Sequence, residues 1–268
     1  MNTTDTTQKK TALITGASGG IGLELAKLFA RDAYDLVLVA RNADKLAQVK
    51  TELEKRRGVS VRTIARDLSD PTAPHDIFTE LDTAGVQIDA LVNNAGYALF
   101  GPFAEAAEQE VLDMLQVNIM ALTHLTRLFL PSMLARGQGR ILNLGSTAAF
   151  LPGPLMAIYY ASKAYVLSFS EAVAEEVKGT GVTVTVLCPG STETGFQKRA
   201  NMENSRLVAN RRLPDAASVA RAGYKAMMQG KTLEVPGLGN KMVPLMARLA
   251  PRRLVPAIVK RSQERREH

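Results

Sequence analysis

Short apolar runs alternate with amphipathic stretches along most of the chain. Thr11-Ala12-Leu13-Ile14-Thr15 is the first run, followed directly by glycines, and reads as a strand. The pattern returns at Asp35–Ala40 (DLVLVA), Val59–Ala65 and Ile88–Val92, in the run RILNLGS that closes at Ser146, and in a run ending at Pro189-Gly190. Between these runs the spacing turns helical. Leu23–Ala30 carries apolar residues at 25, 28 and 29, and Asn42–Arg57 carries Leu46, Val49 and Leu53, with Asn42 placed as an N-cap. Pro71–Ala84 reads as a third helix, and Thr232–Val235 as a seventh strand. Strand and helix in alternation predict an α/β fold: one doubly wound parallel sheet of about seven strands with helices on both faces and right-handed crossovers. Ligands of such sheets bind beyond the C-terminal strand ends. Gly16, Arg41, Asp67, Asn94, Ser146 and Pro189 all fall at or just after such ends.

Composition narrows the class. The 268 residues are 46% hydrophobic and 22% charged, which is globular and long enough for a substantial core. A single cysteine, Cys188, excludes an internal disulfide framework and reads as a small core residue. His75, His124 and His268 are scattered without metal-ligand spacing, so no metal is expected. Met1–Lys10 is polar, reads as a disordered start, and lacks the apolar stretch of a signal peptide. No run approaches the ~20 apolar residues of a membrane span, so a cytoplasmic protein is expected. The net charge of +7 lies mostly in the tail: Lys241–His268 holds eight Lys/Arg and two Glu, against 25 basic and 24 acidic residues before it. A nucleic-acid partner is therefore not expected.

Three stretches carry chemistry. Gly16-Ala17-Ser18-Gly19-Gly20-Ile21-Gly22 joins the first strand to the first helix. Strand, glycine-rich turn and helix are the phosphate-binding opening of a Rossmann-type dinucleotide fold, where helix N-terminal amides face the anion. The spacing Gly16, Gly20, Gly22 differs from the common G-x-G-x-x-G. Second, Ala40-Arg41 closes the second strand where an acid would bind the free ribose hydroxyls of NAD. A guanidinium there suits a 2′-phosphate and points to NADP(H), with Asp67 and Leu68 beside the adenine. Third, Tyr159 and Lys163 stand four apart, on one face of a helix. An ammonium beside a phenol favours the phenolate and lowers the tyrosine pKa, as a general acid or base at neutral pH requires.

Taken in order, Thr15-Gly16-x-x-x-Gly20-Ile21-Gly22, Asn93-Asn94-Ala95-Gly96 and Tyr159-x-x-x-Lys163 resemble the signatures of the classical short-chain dehydrogenase/reductases. Asn118 in the helix after the fourth strand, Ser146 thirteen residues before Tyr159, and Pro189-Gly190 leading to Thr194 extend the resemblance over residues 10–195. The resemblance implies catalytic roles for Asn118, Ser146, Tyr159 and Lys163. Tyr159 would exchange the proton, Ser146 orient the substrate oxygen, Lys163 hold the nicotinamide ribose, and Asn118 support a water relaying protons to Lys163. It assigns cofactor contacts to Gly16, Ser18, Gly20, Ile21, Gly22, Arg41, Asp67, Leu68, Asn94, Tyr159, Lys163, Pro189, Gly190 and Thr194. It implies interconversion of a carbonyl and an alcohol by hydride transfer, and a homo-oligomer (dimer or tetramer) built on the helix of Val166, Leu167 and Phe169. It also makes Tyr160 a packing or substrate-wall residue.

The substrate side is less defined. Ala148–Met156 is apolar with two prolines, and Tyr97, Leu99 and Phe100 follow the Asn-Asn-Ala-Gly turn, so an apolar cleft for a small molecule with an apolar part is expected. Residues 193–213, a lid in the family that the chain resembles, carry Lys198, Arg199, Arg206, Arg211 and Arg212 against Glu193 and Glu203, and read either as a solvated face, which is preferred, or as a contact for an anionic substrate group. Residues 11–240 are expected to form the catalytic domain and 241–268 a basic amphipathic extension. In that extension Pro244, Pro251 and Pro256 exclude one long helix. Short helices packed over the cleft or on a partner subunit are preferred to contact with a membrane surface. A non-catalytic NADP(H)-sensing protein on the same fold is the alternative function.

Overall fold

The computed structural model describes residues 9–194 and 213–263. Seven parallel strands form one sheet in the order β3-β2-β1-β4-β5-β6-β7. They are β1 (Thr11–Thr15), β2 (Asp35–Ala40), β3 (Val61–Ala65), β4 (Ala90–Asn93), β5 (Gly139–Leu144), β6 (Val182–Leu187) and β7 (Leu233–Glu234). The helices are α1 (Gly20–Arg31), α2 (Ala43–Arg57), α3 (Ala73–Thr83), α4 (Glu108–Leu115), α5 (Leu122–Ala135), α6 (Ala157–Glu176), α7 (Ala216–Met228), α8 (Leu238–Leu249) and α9 (Val255–Gln263). The strands expected at Val59, Ile88 and Thr232 begin one or two residues later, and the helix expected at Pro71 begins at Ala73. The order reverses direction between β1 and β4, and there the C-terminal strand ends open a crevice.

Strand alternation divides the core between the two sheet faces. Ala12, Ile14, Leu36, Leu38 and Val92 point to one side, onto Leu25 and Phe29 of α1, Leu46 of α2 and Tyr224 of α7. Leu13, Val37, Val39 and Leu91 point to the other, onto Ile77 of α3, Phe129 of α5 and Val173 of α6. Each fully buried Leu or Phe contributes about 1.5–3 kcal/mol, so this double interface fixes the sheet that positions the crevice. Asn42 caps α2 as expected, its side chain accepting from the Lys45 amide at 2.8 Å. Gly58, in the left-handed region at φ 65°, ends the same helix.

Two helical features depart from simple periodicity. Between α4 and α5 the chain widens into a π-helical turn, Gln116–Ala121, which contains Asn118. In the tail, Pro244 lies inside α8, whereas the break falls around Pro251. Pro256 is the second residue of α9, where an amide has no intrahelical partner to lose. The basic residues Lys198, Arg199, Arg206, Arg211 and Arg212, with Glu203, lie outside the described residues.

Candidate active site

At the crevice the main chain is braced before any ligand is considered. Thr15 Oγ1 accepts from the amides of Asn94 and Ala95, both at 3.0 Å. Asn94 Nδ2 donates back to the Thr15 carbonyl at 2.8 Å and the Gly16 carbonyl at 3.3 Å. The Asn94 amide therefore holds the glycine turn. Gly16 sits at φ +66°, and a Cβ there would stand 2.7 Å from Asn94 Nδ2. A Cβ on Gly22 would meet the same atom at 2.4 Å and the Gly16 carbonyl at 2.5 Å. Gly22 thus lets α1 pack against the turn and does not itself reach the open cleft. Among the described residues no side chain caps α1, and its first turn has no acid; Gly19, Gly20 and Ile21 line the cleft, so the positive end of the helix dipole borders it.

Beyond this turn lies a cleft of about 1370 Å³. That exceeds the ~300–1,000 Å³ of a pocket for one drug-sized ligand and suits a dinucleotide with a second molecule. Ser18, Gly20 and Ile21 line it at the turn, and Arg41, Asp67 and Leu68 line it at one end. Arg41 reaches Asp67 at 3.7 Å, with both side chains largely exposed. Lys45 and Arg66 line the same end, which sequence reading missed. Their signal was only position, in the first turn of α2 and at the close of β3. Pro189, Gly190 and Thr194 line the other side, and the Thr194 methyl lies 3.4 Å from where a Gly20 Cβ would be.

Ser146, Tyr159 and Lys163 meet at the wall of this cleft. Ser146 follows β5 and accepts from the Ala148 amide at 3.1 Å. Lys163 is buried and donates from Nζ to the Leu144 carbonyl at 2.7 Å, with Nζ 5.8 Å from the Tyr159 ring centre. Burial pushes the Tyr159 phenol up to about 12, against the pull of a Ser146 hydrogen bond. Burial also pushes Lys163 down to about 8. The expected lowering of the phenol by the ammonium is thus corrected: in the protein alone, desolvation governs both groups and the lysine hydrogen bond goes to the main chain. Cys188 lies behind them, fully buried, its thiol pushed up to about 12 by burial. It acts as core, as expected.

Asn118 does not line the cleft. Its Nδ2 donates to the Tyr97 carbonyl at 3.0 Å and to Ser162 Oγ at 3.1 Å, and its Oδ1 accepts from the Tyr97 amide at 3.1 Å. Gly96 separates it from the lysine: a Cβ there would lie 3.0 Å from Asn118 Oδ1 and 3.5 Å from Lys163 Nζ. Beneath, Asn93 donates to Thr126 at 3.0 Å and to Asn143 at 2.9 Å, and Asn143 donates to Ser170 at 2.9 Å. This buried chain ties β4 and β5 to α5 and α6 under the reactive residues, a role the sequence motif did not assign to Asn93.

Tyr160 packs with Ala98, Met156, Phe100 and Tyr159 into an apolar patch on the cleft wall. Its hydroxyl accepts from Gln263 Nε2, at the end of α9. Asn240 and Val243 of α8 and Val259 of α9 complete the wall. The tail therefore covers the cleft, and Gln263 is a contact that sequence reading missed.

Residues 10–205 match the family model described as short chain dehydrogenase. The chain belongs to the short-chain dehydrogenase family. It is 34% identical over 227 residues to the ketoacyl reductase HetN of Nostoc sp., covering 84% of this chain and 77% of that one. It is 36% identical over 193 residues to the very-long-chain 3-oxoacyl-CoA reductase of Homo sapiens, covering 70% of this chain and 61% of the human one, so part of that relative has no counterpart in the match. Among solved structures, a short-chain dehydrogenase from Sphingobium yanoikuyae in complex with NADPH superposes with a TM-score of 0.79 at 32% identity, covering 85% of this chain and 88% of that one. Family membership makes this chain an oxidoreductase of the kind that interconverts carbonyls and alcohols.

Proposed function

We propose that this dehydrogenase is an NADPH-dependent ketone reductase with Tyr159 as proton donor, acting on substrates with a long apolar part such as 3-oxoacyl thioesters. The observation that carries the proposal is the meeting of Ser146, Tyr159 and Lys163 on one wall of a cleft whose far end holds Arg41, Lys45 and Arg66. Gly16, Ser18, Gly20 and Ile21 with the α1 amides fit a pyrophosphate, and the three cations fit a 2′-phosphate. Asp67 and Leu68 border the adenine side, and Asn94, Pro189, Gly190 and Thr194 the nicotinamide side. When bound, NADPH supplies the hydride.

Every other step belongs to the chain. Ser146 donates a hydrogen bond to the substrate oxygen and orients it. The raised pKa of Tyr159 keeps the phenol protonated at neutral pH. As the carbonyl oxygen becomes an alkoxide, far more basic than a phenolate, Tyr159 gives it a proton. Lys163 binds ribose hydroxyls and, still mostly charged at neutral pH with its pKa at about 8, steadies the phenolate left behind. Asn118, its side chain held by Tyr97 and Ser162, fixes the main chain around Gly96 beside Lys163. The apolar patch of Ala98, Phe100, Met156 and Tyr160 supports the substrate class, as do the names of HetN and the human reductase. A cytoplasmic location and a dimer or tetramer belong to the same proposal; exposed Leu112, Met120 and Tyr165 on the α4–α6 side support the oligomer, whereas Val166, Leu167 and Phe169, expected at the interface, pack into the chain's own core.

The test follows NADPH absorbance while 3-oxoacyl thioesters of increasing chain length are offered beside steroid, sugar and aromatic ketones. Turnover that rises with acyl length supports the proposal. Tight NADPH binding without turnover on any carbonyl would move the chain to the sensing role.

A further inference from the structure

The tail has two faces. In α8, Asn240 and Val243 line the cleft, and Ala247, one turn further on, shares their side. Leu238, Met242, Leu245 and Leu249 recur at spacings of four, three and four, which aligns them along the opposite side. Leu238 is 84% exposed and Leu249 76% exposed, and Met246 beside them is 64% exposed. In α9, Val255, Val259 and Gln263 are buried, whereas Ile258 is 61% exposed. Leu254, in the connection between the two helices, is exposed as well.

Charge decides what this outer face fits. Lys241, Arg248, Arg252, Arg253, Lys260 and Arg261 are all exposed around the apolar stripe. Leu238–Gln263 contains six Lys/Arg and no Asp or Glu, while residues 1–240 are nearly neutral. Packing over the cleft explains the inner face and leaves seven large apolar side chains exposed, bordered among the described residues of the tail by cations and no acid. An apolar stripe bordered by Lys/Arg is the pattern of a helix lying in the interface of an anionic bilayer, with leucines in the acyl boundary and cations at the headgroups. None of the described helices is long and apolar enough to cross a membrane, so the contact is peripheral.

We propose that the outer face of α8 and α9 docks this protein onto anionic lipid surfaces. This goes beyond the catalytic reading and does not depend on it, since docking needs neither cofactor nor turnover.

The test is sedimentation of the full chain with phosphatidylcholine vesicles, alone or with roughly a third phosphatidylserine. Wild type is expected to pellet with the anionic vesicles and to bind neutral ones at least ~10-fold more weakly, with binding lost near ~1 M salt. Arg252→Glu with Arg253→Glu, and separately Leu245→Asp with Leu249→Asp, change only exposed positions, and melting temperature checks their folding. Each pair is expected to weaken anionic binding by roughly 30-fold or more. Failure of wild type to pellet, equal binding to neutral vesicles, or unchanged binding by folded variants overturns the proposal. So does a wild-type oligomer that the Leu245/Leu249 pair converts to monomer without any vesicle binding; that result assigns the face to a second copy of this chain.

Discussion

Cofactor choice turns on a small set of charges at one end of the cleft. NADPH differs from NADH there by one phosphate carrying up to two negative charges. Ala40 supplies no carboxylate to repel it, and among the described residues Arg41 pairs with Asp67 at 3.7 Å, both side chains exposed. A pair that open is worth about 0–1 kcal/mol, so Arg41 leaves it readily for a phosphate. A charge-assisted hydrogen bond typically contributes ~1.5–3 kcal/mol, and each ~1.4 kcal/mol is tenfold in affinity. Arg41→Ala is therefore expected to reduce kcat/KM for NADPH by roughly 10- to 100-fold, with little change for NADH. Lys45 and Arg66 line the same end, so part of the proposed NADPH preference is expected to survive that single change. Adding Ala40→Asp introduces repulsion and a partner for free hydroxyls, and the double variant is expected to prefer NADH. Asp67→Asn releases Arg41 and should modestly tighten NADPH. The assay is initial rate against each cofactor at low and high salt, and the preference should shrink with salt because the site is open to solvent. Equal use of both cofactors by wild type, or an unchanged ratio in the double variant, would refute the reasoning.

Two further outcomes follow from burial. Lys163 has its pKa depressed by burial from 10.5 to about 8, so its contribution to stability is present above pH 10.5 and lost as pH falls to 8. Relative to Lys163→Met, wild type should lose about 1.4 kcal/mol per pH unit across that window, on the order of 3 kcal/mol in all; urea titrations showing no relative slope would contradict this. Deleting Lys241–His268 removes the buried Val255 and Val259, worth about 3–6 kcal/mol together, so melting temperature should fall by on the order of 10 °C and substrate KM rise. Unchanged melting and KM would show that the tail does not pack on the cleft.

What could be read in the sequence was what local spacing encodes. Apolar runs near five residues long located the strands, and the glycines after Thr15 located the turn, because Gly16 and Gly22 have no room for a Cβ. Tyr159 and Lys163 shared a helix face as their spacing required. What could not be read depended on distant packing. The π-helical turn at Asn118 leaves no trace in an apolar period. Gln263 meets Tyr160 across 103 positions of the chain. Lys45 and Arg66 join Arg41 only through the close of β3 beside the start of α2. The direction of the Tyr159 shift was misread for a related reason. Spacing gives proximity, but whether the ammonium or desolvation prevails depends on what surrounds the pair, and here the ammonium is turned to the Leu144 carbonyl.

The most direct test of Tyr159 as proton donor compares Tyr159→Phe and Tyr160→Phe in NADPH-dependent reduction of the best ketone. The first change deletes the proton and one hydroxyl from the wall. The second removes only the acceptor of the Gln263 hydrogen bond. Tyr159→Phe should bind NADPH with nearly wild-type affinity and lose turnover by about 100- to 10,000-fold, the range of general acid catalysis. Tyr160→Phe should keep most of kcat. A dead Tyr160 variant beside an active Tyr159 variant would contradict the assignment.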